Sequence, residues 1–394
     1  MQYNENELKE IFSKFLNDKD GTFQSATPYG SGHINDTYKV SFLLHDKPKF
    51  YILQRINHNV FPNPKQVMEN VVRVTHHLSN KIKERGGEVE REVLTLLPTK
   101  EEEKEDGQVY YTVVNGNYWR VYNFISDATA YEIGADSNND DDDDESEEQT
   151  QKMVHVREEA AAAFARFQRD VSDIPPPRLH ETISKFGDSS FRFQQLEEAV
   201  EANVAGRASA CEEEIKFCLA RKEDAYTLIH LLQNKSIPER VVHYDTKINN
   251  VLMDDVTKRG LCVIDLDTTM PGMAIYDFGD CVRAATALSA EDEIDLKKVG
   301  FSLSSFDDIV RGYLSVAHTF LTKVEMDHLA FAAKIVTFTI GLRFLTDFLS
   351  GDVYFKTSRE CHNLDRARTQ LKTVADMEDK LDKMKAIVQR YSCR

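Results

Sequence analysis

The segment VVHYDTKINNVLMDD sets His243, Asp245, Lys247 and Asn250 between two short apolar runs. The lysine follows the aspartate by two positions and the asparagine by five, so three polar groups share one loop. A carboxylate there can accept a hydroxyl proton. An ammonium can neutralise charge on a group being transferred, and an amide oxygen is a hard ligand suited to Mg2+. The spacing is that of a loop that catalyses phosphoryl transfer from a nucleotide. Asp245 is therefore the candidate base, Lys247 its catalytic neighbour and Asn250 a candidate metal ligand. His243 is expected to pack beneath the loop.

Downstream, GLCVIDLDTT delivers Asp265 and Asp267 at the end of an apolar run. Taken alone, an Asp at a strand end is a turn former; at this distance from the upstream loop, Asp265 becomes a second candidate Mg2+ ligand. Asp277-Phe278-Gly279 spells a protein-kinase metal motif, yet it follows PGMAIY rather than a run of β-branched residues and is expected to be structural. Near the N-terminus, YGSGHINDTYKV offers Gly30 and Gly32, whose bare backbones would let amides approach a phosphate. A lysine is expected on the next strand, but KFYILQRI has Gln54 or Arg55 in its place. Strand alternation leaves both open. Arg55 is read as able to pair with Glu69 on the following helix and reach an ATP phosphate.

These groups need elements to hold them. MQYNENELKEIFSKFL has amphipathic helical spacing, while TYKVSFLL and KFYILQRI read as a hairpin across HDKPK. Val67, Val71, Val74, Leu78 and Ile82 step by three and four along a helix that ends at Gly86-Gly87. EREVLTLLPTK and GQVYYTVVNGNYWRVYNFI read as further strands. From Gln151 onward helical periodicity dominates, interrupted by the strand-flanked loop at 241–267. The expected architecture is α+β and two-lobed. Residues 1–125 form an N-terminal nucleotide-binding lobe with a leading helix, 126–150 a linker with a disordered acidic insertion, and 151–394 a helical C-terminal lobe with the catalytic loop.

At 394 residues the chain exceeds one ordinary core. Its net charge is −17, but nine acidic side chains fall within residues 136–148, which leaves −8 elsewhere. An acidic balance without a basic stripe argues against nucleic acid as a partner. No window is read as the roughly 18 apolar residues of a membrane span, and the first residues lack the pattern of a signal peptide, so the cytoplasm is the expected location. Six cysteines without C-x-x-C pairs are expected to be reduced thiols. The sequence carries no signal for oligomeric state.

YGSGHINDTYKV, YILQRIN, YWRVYNFI, VVHYDTKINNVLMDD, VIDLDTTMPG, YDFGD and GLRFLTDFLSGDVYFK together resemble the aminoglycoside phosphotransferase and choline kinase superfamily. GSGHINDTY and LTDFLSGDVYFK resemble its N-acetylhexosamine 1-kinases. The resemblance implies a protein-kinase-like fold that uses ATP and Mg2+ to phosphorylate the anomeric hydroxyl of N-acetylglucosamine or N-acetylgalactosamine. It makes Asp245 the base facing that hydroxyl and Asn250 and Asp265 the metal ligands. His33, Asn35, Arg343 and Tyr354 become sugar contacts. The chain departs from the superfamily in lacking the strand lysine and in carrying the acidic insertion. Rival readings are a kinase for choline, homoserine or an aminoglycoside, a nucleotide-binding regulator without catalysis, and a helical interaction scaffold. A choline box would call for clustered aromatics, and the single Trp119 sits in the N-terminal part.

Overall fold

The computed structural model describes residues 3–17, 19–30, 34–100, 108–133 and 147–392. In chain order the elements are α1 (Glu5–Phe12), β1 (Gly21–Pro28), β2 (Asp36–Leu44), β3 (Lys47–Ile56), α2 (Pro64–Glu84), α3 (Val89–Glu92), β4 (Thr112–Val114), β5 (Asn117–Asn123) and β6 (Ala128–Ala130). They continue with α4 (Glu147–Val171), α5 (Ser189–Ala202), α6 (Glu212–Leu219), α7 (Lys222–Gln233), β7 (Arg240–Val242), β8 (Val251–Asp254), β9 (Gly260–Val263) and β10 (Met270–Gly272). The remaining helices are α8 (Ala274–Ala285), α9 (Leu303–Ala317), α10 (Lys323–Asp327), α11 (Leu329–Leu349) and α12 (His362–Ser392). The chain divides into two units. The first comprises Met1–Ala128, Asp173–Ser184 and Leu261–Met270; the second comprises Thr129–Ser172, Lys185–Gly260 and Pro271–Arg394.

The first unit is built on a five-stranded antiparallel sheet in the order β1-β2-β3-β5-β4. Helix α1 starts at a capping box in which Asn4 and Glu7 satisfy each other's backbone N–H. Its Leu8, Ile11 and Phe12 pack on Val40, Phe42, Tyr51, Leu53, Trp119 and Val121 of one sheet face. Strand alternation then sends Gln54, Arg120 and Tyr122 to the opposite face, where Arg120 Nη1 lies 3.8 Å from Met68 Sδ of α2. Two expectations change here. Strand β1 lies ahead of the anticipated hairpin. EREVLTLLPTK is not a strand but the short helix α3 followed by an isolated bridge from Leu96 to Tyr122. The edge of β5 is already shared, because β4 takes residues 117–119 and leaves only 121–123 for that segment.

The second unit is helical, with α11 near its centre. Phe338, Leu342, Leu345, Phe348 and Leu349 of α11 pack with residues of α5, α6 and α12 in one core. By length and composition α11 could cross a membrane, with a mean hydropathy of 1.5, contrary to the expectation that no window approaches that limit. Of that window 83% is buried within the protein, so its apolar character serves the core. The expected helix ASACEEEIKFCLARKEDAYTLIHLL breaks into α6 and α7 around Ala220 and Arg221. Helix α4 begins at Glu147, while residues 134–146, most of the acidic tract, lie outside the described residues.

Candidate active site

The loop between β7 and β8 is fixed in the second unit by two buried carboxylates of α8. Asp277 accepts the backbone N–H groups of His243 and Tyr244, both at 2.8 Å, and Gln168 Nε2 at 2.9 Å. Asp280 accepts the N–H of Thr246 at 2.9 Å while Arg283 donates to its other oxygen at 2.9 and 3.0 Å. The literal Asp277-Phe278-Gly279 motif is therefore a scaffold inside a helix, with Asp277 1% exposed. Burial pushes the Asp277 carboxyl up to about 6 even though His243 and the N–H donors pull it down. His243, fully buried, stands edge-on between the rings of Phe164 and Phe167, as expected for a packing residue.

Above this support the loop brings Asp245, Lys247 and Asn250 together. Asn250 Nδ2 donates to the Asp245 backbone oxygen at 2.8 Å and to its Oδ2 at 3.1 Å, and Lys247 Nζ is 3.2 Å from the same Oδ2. Neither contact uses Oδ1, and neither uses the Asn250 amide oxygen. The residue just before Asp245, Tyr244, has φ of 66°, a left-handed conformation that is uncommon for a side-chain-bearing residue and clusters at functional sites. Its ring fits only because two neighbours lack side chains. A Cβ on Gly187 or Gly272 would fall 2.3 Å from Tyr244 atoms.

An aromatic chain leads from this loop to a cavity of about 170 Å³ in the same unit, whose lining includes Arg192, Arg343, Ser350, Tyr354 and Phe355. Tyr244 meets Phe186 edge-on with centroids 5.5 Å apart, and the Arg343 guanidinium lies 5.5 Å from the Phe186 ring. Arg343 also sits 5.6 Å from the Tyr354 ring and donates to its hydroxyl at 3.4 Å. Asp347 lines the cavity too, but its carboxylate accepts the N–H groups of Val353, Tyr354 and Phe355 and the Asn363 amide. That holds the turn carrying Tyr354 and uses up the acid. Burial, then the neighbouring Arg343 charge, hold the pKa of Arg192 below its ordinary value. Two guanidiniums thus share this cavity, and sequence reasoning had named only one of them.

In the first unit Asp265 sits on the turn after β9 with φ of 60° and ψ of 58°, again left-handed. Two residues on, Asp267 is buried at 2% exposure, its Oδ1 2.5 Å from Arg120 Nη1. Asn35 Nδ2 donates to Asp267 Oδ2 at 2.7 Å, and Asn35 Oδ1 accepts the N–H of Asn57 at 2.9 Å. Burial alone would lower the pKa of Arg120, but Asp267 carries it above its ordinary value. The register shows which way each of the two β3 candidates faces. Gln54 stands opposite Arg120 and its Oε1 accepts from both Nε and Nη2, at 3.0 and 2.6 Å. Arg55 stands opposite Trp119, on the α1 face, and pairs with its cross-strand partner Asp36 at 2.6 Å. The anticipated Arg55–Glu69 pair is replaced, because Glu69 on α2 meets His180 at 2.5 Å. Gly30 has φ of +79°, a region that suits glycine. Gly32 and His33 lie outside the described residues.

A family model for the phosphotransferase enzyme family (APH) matches residues 25–300. Among solved structures the chain is similar to a choline kinase from Cryptosporidium parvum Iowa II, with 14% identity over 98% of this chain and 99% of that one and a TM-score of 0.55. It is also similar to a choline/ethanolamine kinase family protein from Mesorhizobium loti, with 13% identity, 98% and 99% coverage and a TM-score of 0.52. A Plasmodium vivax ethanolamine kinase aligns with 13% identity over 93% of this chain and 89% of that one, with a TM-score of 0.50. At these identities the likeness is one of fold.

Proposed function

The chain belongs to the phosphotransferase enzyme family, and on that premise we propose that it transfers the γ-phosphate of ATP to the anomeric hydroxyl of an N-acetylhexosamine, giving the sugar 1-phosphate. The observation that carries the acceptor reading is the cavity with Arg192, Arg343 and Tyr354, which the Phe186 ring links to Tyr244 of the Asp245 loop. Two guanidiniums and no uncommitted carboxylate among its lining residues repel ammonium groups and offer donors to hydroxyl and carbonyl oxygens. That favours a neutral, oxygen-rich acceptor such as an acetamido sugar over choline or an aminoglycoside. The aromatic rings around Arg343 are already occupied by its own cation.

In this reading Asp245 Oδ1 takes the proton of the acceptor hydroxyl as that oxygen bonds to the γ-phosphorus. The bond from phosphorus to the bridging oxygen breaks and ADP leaves with the electron pair. Lys247 offsets charge on the phosphoryl group in transit, and Asn250 and Lys247 hold Asp245 by its other oxygen. Asn250 fits a hard divalent cation, since its amide oxygen is uncommitted to either bond with Asp245, and Asp265 offers a carboxylate on a turn fixed from behind. Magnesium, when bound, would neutralise charge on the nucleotide phosphates. The backbone at Gly30 would approach the phosphates.

A coupled ADP-release assay over N-acetylglucosamine, N-acetylgalactosamine, glucosamine, glucose, choline, ethanolamine and an aminoglycoside tests the acceptor. We expect turnover with the acetamido sugars, glucosamine disfavoured by its ammonium, and phosphorus NMR placing the product phosphate on the anomeric oxygen. Turnover confined to choline or ethanolamine would reject the sugar reading. Nucleotide binding without turnover on any acceptor would support the non-catalytic regulator instead.

A further inference from the structure

We propose that Arg120 is a positioning residue for the nucleotide and its magnesium. It does not reach the ligand; through Asp267 it holds the turn that presents Asp265. The proposal rests on the reading of Asp265 as a metal ligand.

Two segments of the first unit converge on the buried Asp267 carboxylate, and a third, β3, braces the guanidinium that meets it. Arg120 on β5 is 1% exposed and Asp267 2%. Gln54 on β3 receives two donors from the Arg120 guanidinium and so fixes its plane, while the Tyr122 ring centroid lies 5.0 Å from it. Asn35, just ahead of β2, grips the other oxygen of Asp267. Further along the turn, Asn70 of α2 donates to the Thr269 backbone oxygen at 3.1 Å. The left-handed conformation of Asp265 persists in a side-chain-bearing residue when its surroundings over-determine it, and these contacts supply that constraint. A buried ion pair is a weak source of stability compared with well-packed apolar residues of similar volume. Fixing the geometry of Asp265 gives this pair another role. The guanidinium also offsets one of two carboxylates two positions apart, which eases the accumulation of negative charge where a polyphosphate would approach.

The test separates position from folding. Arg120→Met combined with Asp267→Leu removes both charges, so no buried ion is left alone, and thermal melting checks that the variant folds. Calorimetry with a non-hydrolysable ATP analogue, with magnesium and then with a chelator, gives the magnesium-dependent gain in affinity. We expect that gain to fall at least ~10-fold in the double variant, ~1.4 kcal/mol by the usual conversion, with acceptor binding unchanged. Arg120→Lys should lie between, since it keeps the charge and loses the fork on Gln54. Asp265→Ala should lose the gain as well. If Asp265→Ala loses it and the double variant keeps it within ~2-fold, well under the same tenfold scale, Arg120 is only structural and the proposal is overturned. If Asp265→Ala keeps it, the metal reading of Asp265 fails and takes the proposal with it.

Discussion

The two candidate aspartates are held from behind by buried carboxylates, but the carboxylates are satisfied in opposite ways. Behind Asp245, Asp277 is bonded by two backbone N–H groups and the neutral Gln168 amide. Behind Asp265, Asp267 is bonded by a guanidinium and the Asn35 amide. Backbone donors come with the loop itself, so the first arrangement locks the chain path directly. The second depends on a side chain brought from another strand, and removing that side chain strands a charge. The same need, a rigidly placed aspartate, is thus met at Asp277 by main-chain geometry, with the Asp280–Arg283 ion pair beside it, and at Asp267 by electrostatics, without main-chain donors to its carboxylate among the described residues.

The largest effect that would break this contrast is expected from Arg120→Met. It leaves Asp267 charged and buried, and urea unfolding should show a loss of about 3–5 kcal/mol; a loss below about 1 kcal/mol would mean that water or another donor already serves Asp267. Next comes Asp277→Asn, which keeps one acceptor oxygen and leaves one donor facing an NH2 group. Its expected cost at neutral pH is about 1–3 kcal/mol, smaller than that of Arg120→Met because no charge is stranded. A reversal of that order would contradict the contrast.

The smallest effect is one of pH. An unfolded Asp titrates near about 4, whereas burial raises folded Asp277 to about 6. Between those values the folded form keeps a proton that the unfolded chain has released. This contribution to stability is therefore complete below about pH 4 and is lost as pH rises through about 6. The stability difference between the native protein and Asp277→Asn should accordingly narrow from pH 4 to pH 7, and melting temperatures across that range measure it. Asp308, also raised to about 6 by burial against the pull of Arg157, remains in both proteins and cancels from the difference.

The grouping of Asp245, Lys247 and Asn250 was legible because they lie within six residues of chain, so their types and spacing survive without knowledge of the fold, and the folded loop brings them together. The helices were legible through their periodicity, and the break between α6 and α7 was not, since apolar spacing continues across it. Arg120 escaped notice because one cation in YWRVYNFI looks like a residue on a solvated strand face. Its partner lies 147 positions away, and no local pattern announces it. Arg55 was misplaced for a related reason. Alternation cannot choose a face, but pairing β2 with β3 puts Asp36 directly opposite Arg55, and that register could have been tried on the sequence. Glu69 finds His180, and Arg192 joins Arg343, only after the chain has folded.

The central claim is that Asp245 removes the acceptor proton while nucleotide is held elsewhere. Asp245→Asn preserves the shape and replaces the proton acceptor, so ADP formation with N-acetylglucosamine should fall at least ~100-fold, in the range attributed to general bases. The nucleotide dissociation constant, measured on the same preparation, should stay within ~2-fold, a few tenths of a kcal/mol. Turnover retained within ~5-fold of the native rate, far short of what loss of a general base entails, would contradict the account.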